Sequence, residues 1–408
     1  MVEIVLDFNF SVSMKQMQQT MRWFGPNDAI ALQDIRQCGV TGIVTALHEI
    51  PVGEIWTIDA IQERQKIIRK AGMEWTVIES LPVHEDIKKA NGGYLKFIEN
   101  YKISLKNIAA CGINVVTYNF MPILDWVRTN HAFENPDGSK ALLYNQVAFN
   151  YFDLFLLKRP NVEKDYSEEE KAIALAYGNT LSEEEKELLF KNVLLGLPGS
   201  KINFTAAQIL ALLENYAAID DNILRANLIY FLSEIAPVAE ELCIKLAIHP
   251  DDPPFSVLGL PRVVRNEADL KLLFEAVPIN ANGLCYCTGS LGADPENNLE
   301  RIIDNYGDRI HFLHLRNVAR DSKDIFRESE HLHGDNPIAA IMHKLVVLMQ
   351  HRNVSLPMRP DHGFLHTIED GKEQYPGYSL VGRLKGLAEL RGLEMGLLHQ
   401  LKKDINQN

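Results

Sequence analysis

Four side chains in the second half of this 408-residue chain share one kind of chemistry. His249, Cys287, His314 and Asp361 supply two imidazoles, a thiol and a carboxylate, and each closes a short apolar run. Such a set suits a borderline divalent transition ion such as iron(II), manganese, cobalt or zinc. Taken singly, each has a plainer explanation: a hydrogen-bonded histidine, a buried apolar cysteine, an aspartate that only turns the chain. Matching positions on four successive runs favour one shared ion. Asp251 and Asp252, in His-Pro-Asp-Asp-Pro-Pro, are the alternative ligands or outer partners of the ligands.

Proton-transfer groups lie close by in sequence. His362 follows Asp361, so on a strand it cannot share that residue's direction, but from the following turn it could face the same pocket as an acid or base. Tyr378, in Pro-Gly-Tyr-Ser, could reach the pocket from the next loop, or simply pack there. Trp23, His48, Tyr118 and Asn119 are expected on the substrate side. Arg22, Arg316 and Arg359 are candidates for holding a carboxylate through paired hydrogen bonds, with at least one of them instead buttressing the fold.

These residues must be positioned by a repeating element. Eight short β-branched or aromatic runs are each followed by polar residues and then a helical pattern: Met21–Phe24, Gly42–Ala46, Trp75–Glu79, Asn114–Asn119, Lys245–His249, Gly283–Thr288, Ile310–Leu315 and Ser355–Asp361. Near-continuous apolar runs are expected of parallel strands buried on both faces. Ile61–Ala71, Leu95–Cys111 and Ala268–Glu275 read as helices between them. Alternation of strands and helices predicts an α/β fold, and eight of each predict a closed (β/α)8 TIM barrel over residues 14–408, with an open doubly wound sheet as the alternative. Polar groups at the C-terminal ends of barrel strands then converge on the axis.

One interval interrupts the rhythm. From about 125 to 238 no barrel-type strand appears; Asp137–Gly138 reads as a turn, Ser182–Glu185 as a helix start, and Gly196–Gly199 as a second turn. The segment is expected to be a mostly helical insertion after the fourth strand, placed over the barrel mouth as a lid or homodimer contact. Residues 1–13 are read as an N-terminal extension without a secretion signal, Met14 being a candidate start.

Composition sets outer limits. A formal charge of −13 argues against nucleic acid or an anionic membrane as the partner, although a local arginine or metal can still draw in a small anion. Five cysteines without a C-x-x-C pair suit a reducing cytoplasm. No apolar run approaches the roughly 18 residues of a membrane span. Phosphate-loop, zinc-helix and nucleophile-elbow motifs are absent.

The phrases around these residues resemble the D-mannonate dehydratase family from about Met14 onward. They are Arg22-Trp23-Phe24-Gly25-Pro26, Val44-Thr45-Ala46-Leu47-His48, Tyr118-Asn119-Phe120-Met121-Pro122, His249-Pro250-Asp251-Asp252-Pro253-Pro254, Cys287-Thr288-Gly289-Ser290, His314-Leu315-Arg316, Arg359-Pro360-Asp361-His362-Gly363, and Pro376-Gly377-Tyr378-Ser379 through Gly386. The resemblance implies a xylose-isomerase-like barrel with manganese or iron(II) and conversion of D-mannonate to 2-keto-3-deoxy-D-gluconate in hexuronate breakdown. It puts the metal ligands at His249, Cys287, His314 and Asp361, the acid/base pair at His362 and Tyr378, and needs no nucleotide cofactor. A metal-dependent sugar isomerase or epimerase on the same barrel is the main alternative; a non-catalytic sugar-acid binder is another, disfavoured by the proton-transfer pair.

Overall fold

The computed structural model describes residues 14–195 and 204–407. The extension over residues 1–13 and the turn at Gly196–Gly199 lie outside the described residues. Twelve strands are present among them: β1 Gln18–Arg22, β2 Gly42–Thr45, β3 Glu74–Glu79, β4 Val115–Tyr118, β5 Asn130–Glu134, β6 Lys140–Asn145, β7 Lys245–Ile248, β8 Asn282–Cys287, β9 Ile310–His314, β10 Asn317–Ser322, β11 Ile325–Ser329 and β12 Pro357–Arg359.

Eight of them close a parallel barrel in the order β1-β12-β9-β8-β7-β4-β3-β2. The closed barrel, not the open sheet, is the architecture. Its strands are apolar where both faces are covered: every residue of β2, β4, β8 and β9 is buried. Strand β1 begins three residues before the run read from sequence, because Gln18, Gln19 and Thr20 pair with neighbours despite their polarity. The Thr20 hydroxyl donates to the Met358 carbonyl at 2.8 Å, which satisfies it inside the barrel.

Two apolar layers hold the barrel. Val44, Val77, Val115, Ala247, Cys285 and Phe312, one from each of six strands, form a separate small cluster. Phe312 also sits edge-on beneath His314, ring centroids 4.7 Å apart, so this cluster floors the site. Outside, the helices cover the strands. Helix Ile58–Lys70 starts on a Thr57 N-cap, and helix Tyr94–Ala110 buries Ile98, Tyr101, Leu105 and Ile108.

The interval 125–238 is not wholly an excursion. Its last helix, Asp221–Glu241, buries Leu224, Leu228, Phe231, Leu232 and Ile235 in the main barrel core and leads directly into β7. The preceding part contains helices Glu168–Gly178 and Glu183–Val193, each opened by a serine capping box, at Ser167 and Ser182. It also contains a β-hairpin, β5–β6, turning at Asp137–Gly138 with Gly138 at φ +83°. That hairpin pairs with a second one, β10–β11, which follows the seventh barrel strand; together they make an antiparallel sheet ordered β10-β11-β6-β5. The loops after two distant barrel strands are thus joined by a backbone ladder and share an apolar cluster that includes Val127, Tyr144, Phe149, Val318 and Phe326.

Candidate metal centre and active site

Strands β7, β8 and β9 are hydrogen-bonded neighbours, and their last residues or the next one bring three donors together. One ligand atom each from His249, Cys287 and His314 lies within 4.8 Å of the others. Asp361, two residues beyond β12, completes the group: its carboxylate is 3.7 Å from Cys287 Sγ and 3.7 Å from His314 Nδ1. Asp361 reaches this position from a left-handed backbone, φ +61°, a conformation that a non-glycine residue adopts at some cost.

The donor atoms suit a cation. His249 Nδ1 lies 2.7 Å from the Pro250 carbonyl, which accepts its proton and leaves Nε2 with the lone pair. His314 Nδ1 is buried and has no hydrogen-bond partner among the described residues, whereas its Nε2 meets Arg359 Nε at 3.1 Å and Glu79 Oε2 at 3.5 Å. Arg359 donates to Nε2, so Nδ1 is the ring nitrogen turned toward Asp361. Burial alone would raise the pKa of Asp361, but Arg359, His362, His314 and Arg316 outweigh it and hold the carboxyl well below its usual range. An imidazole nitrogen left bare among a thiol, a second imidazole and a carboxylate is what one borderline ion would satisfy.

Beside this cluster opens a cavity. Arg22, Phe24, Glu79, Asn119, Asp125, Trp126, His249, Arg359, Asp361, His362 and Tyr378 line it. His362 and Tyr378 face each other edge-on, ring centroids 5.0 Å apart. They are held by the backbone: the Gly363 amide donates to the Gly377 carbonyl at 2.8 Å. Gly363 must be glycine, since a Cβ there would stand 2.3 Å from the Arg383 backbone nitrogen. Burial pushes the Tyr378 phenol up to about 12, although Arg359 pulls the other way, so it stays protonated.

The D-mannonate dehydratase (UxuA) family model matches residues 17–404. This chain belongs to the D-mannonate dehydratase family. Among its relatives in the family, a mannonate dehydratase from Marinomonas sp. (strain MWYL1) is 49% identical over 387 residues, 93% of this chain and 99% of that one. The crystal structure of mannonate dehydratase from Streptococcus suis serotype 2 superposes with a TM-score of 0.75 at 33% identity, covering 95% of each chain. A xylose isomerase-like TIM barrel protein from Mycobacterium smegmatis shares the fold alone, with a TM-score of 0.51, 13% identity, and coverage of 93% of this chain and 98% of that one. D-mannonate dehydratases are hydro-lyases, and the matched range shows that the resemblance carried by the sequence phrases extends along the chain. No described helix is long and apolar enough to cross a membrane.

Several residues read as substrate contacts sit elsewhere in this member of the dehydratase family. Trp23 does not line the cavity: it points outward into the barrel core beneath Arg64, whose guanidinium lies 5.5 Å from its ring, because its neighbours Arg22 and Phe24 take the inward direction. His48 stands behind Phe24, ring centroids 6.2 Å apart; burial, with Arg22 and Arg64 nearby, pushes it down to about 3 and keeps it neutral. Arg316 is the buttress. It donates to Asp252 at 2.5 Å and Glu328 at 2.6 Å, and its Nε lies 3.1 Å from Asp361. Asn119 does line the cavity.

Asp252 is fully engaged by Arg128, at 2.7 and 3.0 Å, and by Arg316, so its carboxylate is not a free ligand. Asp251 accepts from the Val264 amide at 2.8 Å and pins the loop after β7. Two functional residues went unassigned in the sequence. Glu79, a strand-end carboxylate, binds Arg359 at 2.6 and 2.9 Å beside His314. Glu328, on β11, meets His362 Nδ1 at 3.0 Å. Only its place in Arg-Glu-Ser-Glu-His could have drawn notice, and a solvated charge run reads the same way.

Proposed function

We propose that this chain removes water from D-mannonate to give 2-keto-3-deoxy-D-gluconate, as a cytoplasmic step of hexuronate breakdown, with one divalent ion, manganese or iron(II), held by His249, Cys287, His314 and Asp361. The observation that carries the reading is the shared cavity: His249 and Asp361 line it together with His362 and Tyr378, and Cys287 and His314 are clustered against those two donors. A bound ion would supply positive charge against the enediolate that develops when the proton beside the substrate carboxylate is lost.

The protein's own groups carry the rest. Arg22 is the arginine available for the substrate carboxylate: its one ion pair, to Glu79, is long at 3.4 Å, and its Nε has no hydrogen-bond partner among the described residues. Arg359 and Arg316 are already committed to Glu79 and Glu328. His362, held at Nδ1 by Glu328 at 3.0 Å and Arg316 at 2.9 Å, presents Nε2 as the base that takes the C2 proton, in the tautomer whose Nδ1–H donates to Glu328. Tyr378 is protonated and gives its proton to the C3 hydroxyl as the C3–O bond breaks, releasing water. The enol that remains relaxes to the 2-keto acid without a hydride carrier. Trp126, Phe24 and Tyr378 wall the cavity and limit water, which strengthens each charge interaction inside it.

Mass spectrometry after incubation with D-mannonate tests the reaction. The product is expected to be lighter by one water and to react as a 2-keto acid. A product of unchanged mass would instead establish an isomerase or epimerase.

A further inference from the structure

The cavity lining mixes charges: Arg22 and Arg359 stand among Glu79 and Asp361, and the opening of the inserted segment contributes Asp125 and Trp126, whose ring lies 6.1 Å from that of His362. Trp126 is 5% exposed, and its indole N–H is buried with no hydrogen-bond partner among the described residues. A buried donor left unpaired costs stability unless a ligand satisfies it.

Trp126 cannot easily turn to find another partner. Its ring is stacked on His131, centroids 5.4 Å apart, and the Arg128 guanidinium lies 5.2 Å from its centroid. Arg128 is itself clamped by Asp252 and by Glu328 at 3.3 Å. Beside it, Asp125 accepts a long hydrogen bond, 3.4 Å from Asn119 Nδ2, and one from its own backbone amide, so its carboxylate retains acceptor capacity. A neutral donor next to an acidic acceptor is complementary to hydroxyl groups and repels a carboxylate.

We propose that Asp125 and Trp126 form a polyol subsite that binds the hydroxyls beyond C4 of an aldonate and orients it, its carboxylate toward Arg22 and its tail toward the insertion. This rests on the dehydratase reading above and adds the part of the substrate that sets selectivity. The juxtaposition also gives the insertion a task that a barrel alone lacks: it supplies the surface that measures the length of the sugar chain.

Steady-state kinetics on two substrates test the subsite. L-Erythronate keeps the C2 and C3 configuration of D-mannonate but ends at C4. Trp126→Phe keeps the aromatic wall and deletes the donor. Its kcat/KM for D-mannonate is expected to fall about tenfold, chiefly through KM, while that for L-erythronate changes by less than about twofold. Asp125→Asn, which preserves shape, is expected to show the same selective loss and serves should the first variant fold poorly. Equal losses on both substrates, or no loss on either, overturn the subsite. A wild-type enzyme that leaves D-mannonate unchanged overturns the dehydratase reading and the subsite together; turnover by wild type with an unaltered preference in both variants overturns the subsite alone.

Discussion

The Nδ1 of His362 lies 3.0 Å from Glu328 Oε1, and the same carboxylate oxygen accepts from Arg316 at 2.6 Å. A histidine flanking the metal-binding cluster is therefore oriented by an acid on a hairpin outside the barrel. Burial alone would raise the pKa of Glu328, but Arg316, His362 and Arg128 outweigh it and keep it ionised.

Glu328→Gln removes that charge while keeping the shape. We predict a fall in kcat of about 100-fold, with KM little changed, as for other carboxylates that fix a catalytic imidazole. Initial rates of 2-keto acid formation measure it. Activity close to wild type would mean that His362 needs no such anchor.

Direct replacement separates the metal centre from the proton-transfer pair. His362→Asn and Tyr378→Phe are each expected to lose on the order of 10²- to 10⁴-fold in turnover while retaining metal content. Turnover near the wild-type rate in either variant removes that residue from the chemistry.

Cys287→Ser tests the ligand set. A serine hydroxyl does not ionise as a thiol does, so affinity for manganese or iron(II) is expected to drop at least about tenfold. Elemental analysis after equilibrium dialysis reads this without relying on activity. Full occupancy in the variant would take Cys287 off the list of ligands.

Asp252 gives a prediction in pH. Burial would raise its pKa, but Arg128 and Arg316 overcome this and hold it far below the ordinary value. A carboxylate with a depressed folded-state pKa stabilises fully above its unfolded pKa, about 3.9, and loses that contribution as pH falls toward the folded value. Wild-type Tm should therefore drop as pH is lowered from about 5 to 3. Asp252→Asn should be less stable, by roughly 3–5 kcal/mol for a broken buried pair, and its Tm should decline less steeply with acid. Parallel acid limbs in the two proteins would rule Asp252 out as a source.

The barrel was legible because its strands are apolar on both faces, and the donor group because parallel strands put their last residues side by side. Neighbouring residues were harder to separate. Arg22, Trp23 and Phe24 are consecutive, and only the strand's alternation decides that the tryptophan turns away from the cavity. The second sheet was hidden for a different reason. Asp137–Gly138 is a strong hairpin signal, yet β5 is half-exposed along its length, and the buried face of β11 is Phe326 and Glu328. A strand that turns a glutamate inward has no apolar alternation to read. The partners of that glutamate, Arg128 and Arg316, lie 200 and 12 residues away, a proximity that appears only after the barrel has closed.

The ladder between β6 and β11 has one more consequence. Hairpins from two separate strand ends are tied edge to edge, so neither can be shortened without exposing the backbone donors and acceptors of the other. Relatives that trim one excursion should trim its mate as well, and the two loops should come and go as a matched pair.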